Sequence, residues 1–374
     1  MHSDFLVITT PGLEEILAEE IRSLGITPVT IEHTGVLFRG TPEDCMRANL
    51  CLRTAEHVIM LLSEFDCYSP EELYQQVSAI DWKPWFRDHR TLSISAVVQD
   101  SSITHPVNAA LAVKDAISET LRDRTGRPPE VDRYSPDVSV MLRLDHDHAR
   151  IGIDTSGESL GRRVYLKTRT ESSPGENLAA GLVLAAGWNG LDDLYNPFCG
   201  AGSIAIEAGL YARNIPPNLN RKKFGFMKLP WFDPACWEKI SVEARSRIVS
   251  GDCLIEASDE DDAALMIAGE NAAAAEVAGI VRFVHRDIKA LPKARTASML
   301  ITFPPFSVGR KKTTDLRSLY RTMGEVLRKR MRKSTAWVFT GNSSLAKYIP
   351  LKPSAKMIIY NNTLRCTYLR YDIR

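Results

Sequence analysis

The chain has little of what would place it outside the ordinary globular class. Its seven cysteines are scattered and odd in number, and no pair has Cys-x-x-Cys spacing. That pattern argues against structural zinc and for free thiols in a reducing, cytoplasmic setting. No apolar run approaches membrane-spanning length, and the longest, Leu178 to Trp188, is broken by glycine. The opening MHSDFLVITT has no basic start followed by a long apolar segment, so no signal peptide is expected. The net charge of +1 leaves no global basic field, so affinity for nucleic acid must come from local patches. Internal repeats and low-complexity tracts are absent. What remains is 374 residues, 44% hydrophobic and 25% charged, too long for one core, so two or three domains are expected.

Phe5 to Thr9 reads as a strand, with Thr10-Pro11 as the cap and first residue of a helix bearing Leu13, Ile16, Leu17, Ile21 and Leu24. Ile31 to Phe38 reads as a second strand with His33 and Thr34 on its surface. Thr41 is the cap of a helix bearing Met46 and Leu50, and Val58 to Glu64 is a third strand. This β-α-β-α-β unit ends near residue 65. In the next unit, Pro70 to Ile80 is helical and Leu92 to Ala96 alternates as a strand. Val107, Leu111, Lys114, Ile117 and Leu121 mark a helix side, and Val138 to Ile153 forms a hairpin around Asp145-His146-Asp147-His148. A polar connection runs from Ser156 to about Pro174. From Glu176 the pattern becomes strands at Asp193–Tyr195, Cys253–Ile255, Val281–Val284, Ser298–Ile301 and Ala336–Phe339, separated by helices such as Asp262–Ala275 and Ser318–Met331. Met357–Tyr360 and Arg365–Tyr371 follow as late strands. This alternation predicts an open α/β sheet with helices on both faces.

The most informative stretch is Asn196-Pro197-Phe198-Cys199-Gly200-Ala201-Gly202-Ser203, an apolar strand running into a Gly-x-Gly turn before a helix. Glycine lets bare backbone approach a ligand, and the helix start presents unpaired N–H groups and a partial positive charge. Beyond the next strand, Ser258 and Asp259 stand where a ribose diol is held, since a carboxylate accepts both hydroxyl protons. The competing reading of Asp259 is an acid in the first turn of the following helix. Asp287, after the third strand, is a candidate acceptor for an adenine amino group; the plainer reading is a loop acid.

These residues resemble the Asp-Pro-Phe-Cys-Gly-Ser-Gly signature of S-adenosylmethionine-dependent RNA methyltransferases that carry a THUMP domain. Glu176-Asn177-Leu178-Ala179-Ala180 is similar to the family's Arg-Glu-x-Leu-Ala-Ala, and Asn271-Ala272 to its Asn-Ala pair. Tyr211 to Arg221 is similar to its Ala-Arg-Asn-x-Ala-Pro-Gly insertion. Phe5 to Leu17 and the Lys114–Gly157 segment resemble its N-terminal half, so the likeness covers nearly the whole chain. The chain is similar to the bacterial guanine-N2 methyltransferases of large-subunit ribosomal RNA. The resemblance implies a ferredoxin-like unit (1–65), a THUMP-like RNA-binding unit (66–160) and a Rossmann-like class I methyltransferase domain (161–374). It also implies S-adenosylmethionine held by Glu176, Asn196, Pro197, Phe198, Cys199, Gly200, Gly202, Ser258, Asp259 and Asp287. Structured RNA, ribosomal or transfer, is the implied partner.

The family places Asn/Asp-Pro-Pro-Tyr/Phe after the fourth strand, where this chain has Phe303-Pro304-Pro305-Phe306. An amide oxygen and a carbonyl there would accept the two protons of a base amine, and the aromatic ring would stack on the extruded base. A phenyl ring at Phe303 accepts no such bond. The Pro304 carbonyl remains one acceptor, and Thr302 would point to the other face. Asn196 stands where the family has Asp, and Ala257 where it has Gly. Three readings stay open: an active enzyme with altered geometry, methylation of an atom needing no amide acceptor, or a silent relative that binds RNA and cofactor. A DNA adenine-N6 methyltransferase shares the Pro-Pro-aromatic loop, but the THUMP-like half points to RNA. Arg310, Lys311 and Lys312, and Arg221, Lys222 and Lys223 near Phe224, Phe226 and Trp231, are candidate RNA contacts. Arg122, Arg124, Arg127 and Arg133 are further candidates. The plainer reading makes the aromatics core of the insertion and Arg317 and Arg321 a solvated helix face.

Overall fold

Two seven-stranded sheets organise the residues described in this computed structural model, which are 2–374 apart from Thr34, Asp88, His89, Gly126, 169–172, Thr296 and 307–312. The first sheet is built from β1 (Ser3–Thr9), β2 (Val29–Glu32), β3 (Gly35–Gly40), β4 (Ala55–Asp66), β5 (Leu92–Gln99), β6 (Val138–Asp145) and β7 (His148–Asp154). Its order is β2-β3-β1-β4-β7-β6-β5. Helices α1 (Glu14–Ser23), α2 (Pro42–Cys51), α3 (Pro70–Ser78) and α4 (Pro106–Thr125) connect these strands. The long β4 pairs with β1 on one side and β7 on the other, so the sheet runs unbroken across the boundary expected near residue 65.

Local chemistry explains most of these elements. Thr41 and Asp44 form a reciprocal capping box at α2, and Ser69 caps α3 by accepting the Glu72 N–H. Val138, Val140, Leu142 and Leu144 of β6 are buried, and the residues between them face outward. Three expectations fail. Thr10-Pro11 does not start α1, which begins at Glu14 with no side-chain cap; Pro11 instead accepts the Tyr360 N–H at 2.9 Å with its carbonyl. Ile31–Phe38 is two strands pairing antiparallel, because the chain reverses between Glu32 and Gly35; the Thr34 assignment lies outside the described residues. On α4 the inward residues are Ala109, Val113, Ala116, Ile117 and Leu121, while Val107 and Leu111 are exposed.

The second sheet comprises β8 (Leu194–Pro197), β9 (Ile255–Asp259), β10 (Val281–His285), β11 (Met299–Thr302), β12 (Ser334–Thr340), β13 (Ala355–Asn361) and β14 (Leu364–Ile373). Its order is β10-β9-β8-β11-β12-β14-β13, with the first five strands parallel and β14 antiparallel to its neighbours. Helices α5 (Glu176–Ala185), α6 (Ser203–Ala212), α7 (Pro234–Ser246), α8 (Asp262–Ala274), α9 (Thr313–Arg330) and α10 (Ser343–Ala346) accompany it. All four residues of β8 are buried, as expected for a parallel strand covered on both faces. The chain leaves β8 toward β9 and β10, then returns to β11 on the other side. That reversal opens a crevice at the carboxyl ends of β8 and β11, where open α/β sheets bind ligands.

The two sheets are joined by specific contacts. Asn177 in the first turn of α5 donates to Thr10 Oγ1 and Glu56 Oε1, both at 3.0 Å. Gly181 lets α5 close on Leu13, since a Cβ there would stand 2.4 Å from the leucine Cδ1. Residues 214–232 bridge the halves as well: Asn218 donates to the Asn49 carbonyl at 3.0 Å and the Phe226 N–H to the Thr155 carbonyl at 2.7 Å.

Candidate functional site

After Pro197 the chain turns through Phe198 (φ 59°), Cys199, Gly200 (φ 52°) and Gly202 (φ 85°) into α6. These left-handed values fold the backbone into a tight bend with its amides at the helix start. A Cβ at residue 202 would lie 3.1 Å from Ala268 Cβ and from the Phe283 ring, so glycine also sets how closely α6 packs on α8 and β10. The bend is bonded to its neighbours. Asp259, at the end of β9, accepts the Gly200 N–H at 2.9 Å and the Asp261 N–H at 3.1 Å, one on each carboxylate oxygen. The Ser258 carbonyl accepts the Cys199 N–H at 3.1 Å. Burial, reinforced by the Asp259 charge, pushes the Cys199 thiol far above its usual range and keeps it neutral.

Asn271 braces the bend from behind: Nδ2 reaches the Ala201 carbonyl at 3.3 Å, and Oδ1 accepts the Lys167 N–H at 3.1 Å. Ser173 Oγ accepts the Ala201 N–H at 3.3 Å. Asn196 is 1% exposed and donates from Nδ2 to the Ile301 carbonyl at 2.8 Å. That donation fixes the amide orientation. Its Oδ1 is buried with no partner among the described residues.

Asp287 lies two residues past the His285–Asp259 pair of the β9–β10 ladder. It is half-buried, caps its own turn by accepting the Lys289 N–H at 2.8 Å, and pairs with Lys289 Nζ at 3.4 Å. Glu176 is fully buried in the first turn of α5. It adjoins Arg163, Tyr165 and Glu207; burial, then the Glu207 and Glu176 charges, hold the Tyr165 phenol well above its usual range. Asp259 meets the glycine bend, Asp287 accepts the N–H of its own turn, and Glu176 lies buried in the first turn of α5.

At the end of β11, Thr302 Oγ1 donates to the Pro197 carbonyl at 2.6 Å, tying the two strand ends together. Phe303 is 8% exposed; its ring stacks on Phe306 at 5.2 Å and leans on Phe339 at 5.2 Å. Pro304 is buried, and Pro305 and Phe306 are half-buried. Phe306 lies over Gly341, where a Cβ would stand 2.6 Å from the ring. The loop that carries the Pro-Pro pair is therefore floored by aromatic rings.

The RNA candidates separate. Arg221 spends its guanidinium on the carbonyls of Ser156, Glu158, Ser159 and Lys223 and covers the Phe224 ring at 5.2 Å; it holds the connection in place. Lys222 and Lys223 are exposed. Phe224, Phe226 and Trp231 stack on one another, with Phe224 and Phe226 buried, so these rings are core. Arg122, Arg127 and Arg133 are exposed. The Arg124 side chain and Arg310, Lys311 and Lys312 lie outside the described residues. Arg317 stacks on Tyr348 at 5.4 Å. Among the described residues no cluster of His, Cys, Asp and Glu could hold a metal, and no helix is long and apolar enough to cross a membrane.

The chain is similar to known proteins along its whole length. An RMKL-like methyltransferase domain matches residues 163–370, an RlmL ferredoxin-like domain residues 4–59, and a THUMP domain residues 67–154. Ribosomal RNA large subunit methyltransferase K/L of Syntrophotalea carbinolica is 35% identical over 99% of this chain and 53% of its own length. A Synechocystis protein provisionally named an RNA methyltransferase is 32% identical over 97% of this chain and 94% of its own length. This chain thus spans about half the length of the first curated relatives it matches. A provisionally assigned methyltransferase crystallised with SAH superposes with a TM-score of 0.89 at 27% identity, covering 100% of this chain and 98% of its own.

Proposed function

The chain belongs to the RMKL-like methyltransferase family, and from that membership we propose that it transfers a methyl group from S-adenosylmethionine to a guanine N2 in large-subunit ribosomal RNA. The observation that carries the reading is the 2.9 Å bond between Asp259 and Gly200 at the switch of the strand order. The residues present fit the cofactor. Gly200 and Gly202 keep side chains out of the bend, the start of α6 offers amides to a carboxylate, and each Asp259 oxygen keeps a lone pair for a ribose hydroxyl beside its backbone bond. The buried Asn196 Oδ1 adds an acceptor that is unpaired among the described residues. When bound, S-adenosylmethionine supplies an activated methyl on a sulfonium.

The chain's own residues do the rest by alignment. Thr302 locks the ends of β8 and β11 together, so the bend and the Pro304-Pro305 loop keep one distance. Phe306 offers a ring face for an extruded base, and its stack on Phe303 and contact with Gly341 fix the plane of that ring. The Pro304 carbonyl accepts a hydrogen bond from the base amine. Phe303 cannot accept a second. The N-terminal sheet positions the RNA in the cytoplasm, with Lys222 and Lys223 on phosphates.

The test is transfer of labelled methyl from S-adenosylmethionine to ribosomal RNA from cells lacking this protein, followed by nucleoside analysis. Label in N2-methylguanosine is expected. Label in another nucleoside would move the target atom, and absence of label would remove the catalytic reading.

A further inference from the structure

Two arginines that no sequence motif marked grip α6, the helix whose start forms the glycine bend. Arg163 Nε donates to Glu207 Oε1 at 3.0 Å, and both side chains are 0% exposed. Tyr165 also donates to Glu207 Oε1, at 2.9 Å. Arg163 additionally donates to the carbonyls of Leu160 and Arg53. Arg53 belongs to the other half of the molecule, in the link between α2 and β4. Its Nη2 reaches across to the carbonyls of Ile215 at 2.9 Å and Leu210 at 3.4 Å, at and just past the end of α6. Its guanidinium lies 5.7 Å over the Tyr211 ring, and its own N–H is held by Glu20 at 2.7 Å.

This arrangement is costly for a mere fastening. Arg53 is 8% exposed, and its Nη1 has no hydrogen-bond partner among the described residues. A buried donor without a hydrogen bond costs free energy. Its bonds fall on the trailing end of the helix, where carbonyls point outward and favour a cation. Glu207 and Ser203 sit one turn apart on that helix, and Ser203 directly follows Gly202.

We propose that Arg53 is a positioning residue: it carries the placement of the N-terminal sheet into α6 and so sets the glycine bend for the cofactor. The inference rests on the methyltransferase reading, because it takes that bend as the cofactor loop. Arg53 touches no reacting atom. It acts through the helix it holds, with Arg163 and Glu207 as the second point of the grip.

The experiment compares the full-length protein with Arg53→Met, Arg53→Lys and a control, Arg47→Met. Arg47 pairs with Glu43 at 3.0 Å and Glu243 at 2.8 Å and makes none of these contacts with α6. A cavity of about 640 Å³ beside Arg53 leaves room for the methionine. S-adenosylhomocysteine is titrated calorimetrically, so stoichiometry corrects for any unfolded fraction. Arg53→Met should weaken binding about tenfold at full stoichiometry. Arg53→Lys should recover part of that loss, and Arg47→Met should stay within about twofold. Amide exchange at Gly200–Ile204, measured without ligand, should quicken in Arg53→Met alone. Unchanged affinity and exchange in Arg53→Met would overturn the proposal, as would equal effects from Arg47→Met. If the parent protein fails to bind S-adenosylhomocysteine, the cofactor reading fails, and the exchange data still decide whether Arg53 sets the bend.

Discussion

The loops that follow β8 and β11 lie at adjacent strand ends, yet they are built from opposite chemistry. The first is polar and braced on every side: Asp259 bonds Gly200, Asn271 and Ser173 bond Ala201, and the Ser258 carbonyl bonds Cys199. The second rests on rings, with Phe303 between Phe306 and Phe339 and cross-ties from Thr302 to Pro197 and from Asn196 to Ile301. A braced polar bend keeps its shape for a small polar ligand before that ligand arrives. A loop floored by rings presents a flat surface and few directed bonds, which suits a planar base. The difference also separates two energies. Damage to the first loop should appear in ligand affinity, and damage to the second in folding stability and turnover.

Five variants probe that separation, beginning with the largest effect. Phe303→Ala removes a ring that is 8% exposed and should lower unfolding free energy by about 3–5 kcal/mol in chemical denaturation. A loss under about 1 kcal/mol would mean the ring hangs free and the aromatic floor does not exist. Asp259→Ala removes a charged acceptor and should weaken S-adenosylhomocysteine by about 10- to 100-fold with little change in melting. Unchanged affinity would detach Asp259 from the ligand. Gly202→Ala forces a side chain to φ 85° and should cost about 1–2 kcal/mol in denaturation while also weakening the ligand. A stability loss without weaker binding would confine Gly202 to helix packing. Replacing Lys222 and Lys223 together by alanine should flatten the salt dependence of RNA binding by about one to two units of slope and leave the titrations above unchanged. Arg221→Ala should instead loosen the 156–159 connection, because its bonds go to carbonyls there.

Much of this contrast was legible in the sequence, and the exceptions share a cause. The glycine bend, Asp259 and the strand–helix alternation announce themselves through local residue types whose geometry requires them. The Ile31–Phe38 hairpin did not, because its two strands are too short to show separate alternation. Val107 and Leu111 misled because α4 buries alanines on its inner face. Asp287 matched the expected spacing, and only the fold showed that its carboxylate also caps its own turn. Arg53 and Arg163 were invisible for another reason. Their partners on and just past α6 lie 44 to 162 positions away along the chain, and nothing local distinguishes them from surface arginines. The aromatic floor was half-readable: Phe303 stood out as unable to accept a proton, but its stack on Phe339 required the fold.

The central claim is that the ring-floored loop, with Phe303 in place, is a working catalyst beside an intact cofactor bend. Its most direct test is methyl transfer to ribosomal RNA by the parent and by Phe303→Asn, each first shown to bind S-adenosylhomocysteine. The account predicts transfer by the parent. Transfer by Phe303→Asn alone would contradict it and show that the phenyl group silences the site.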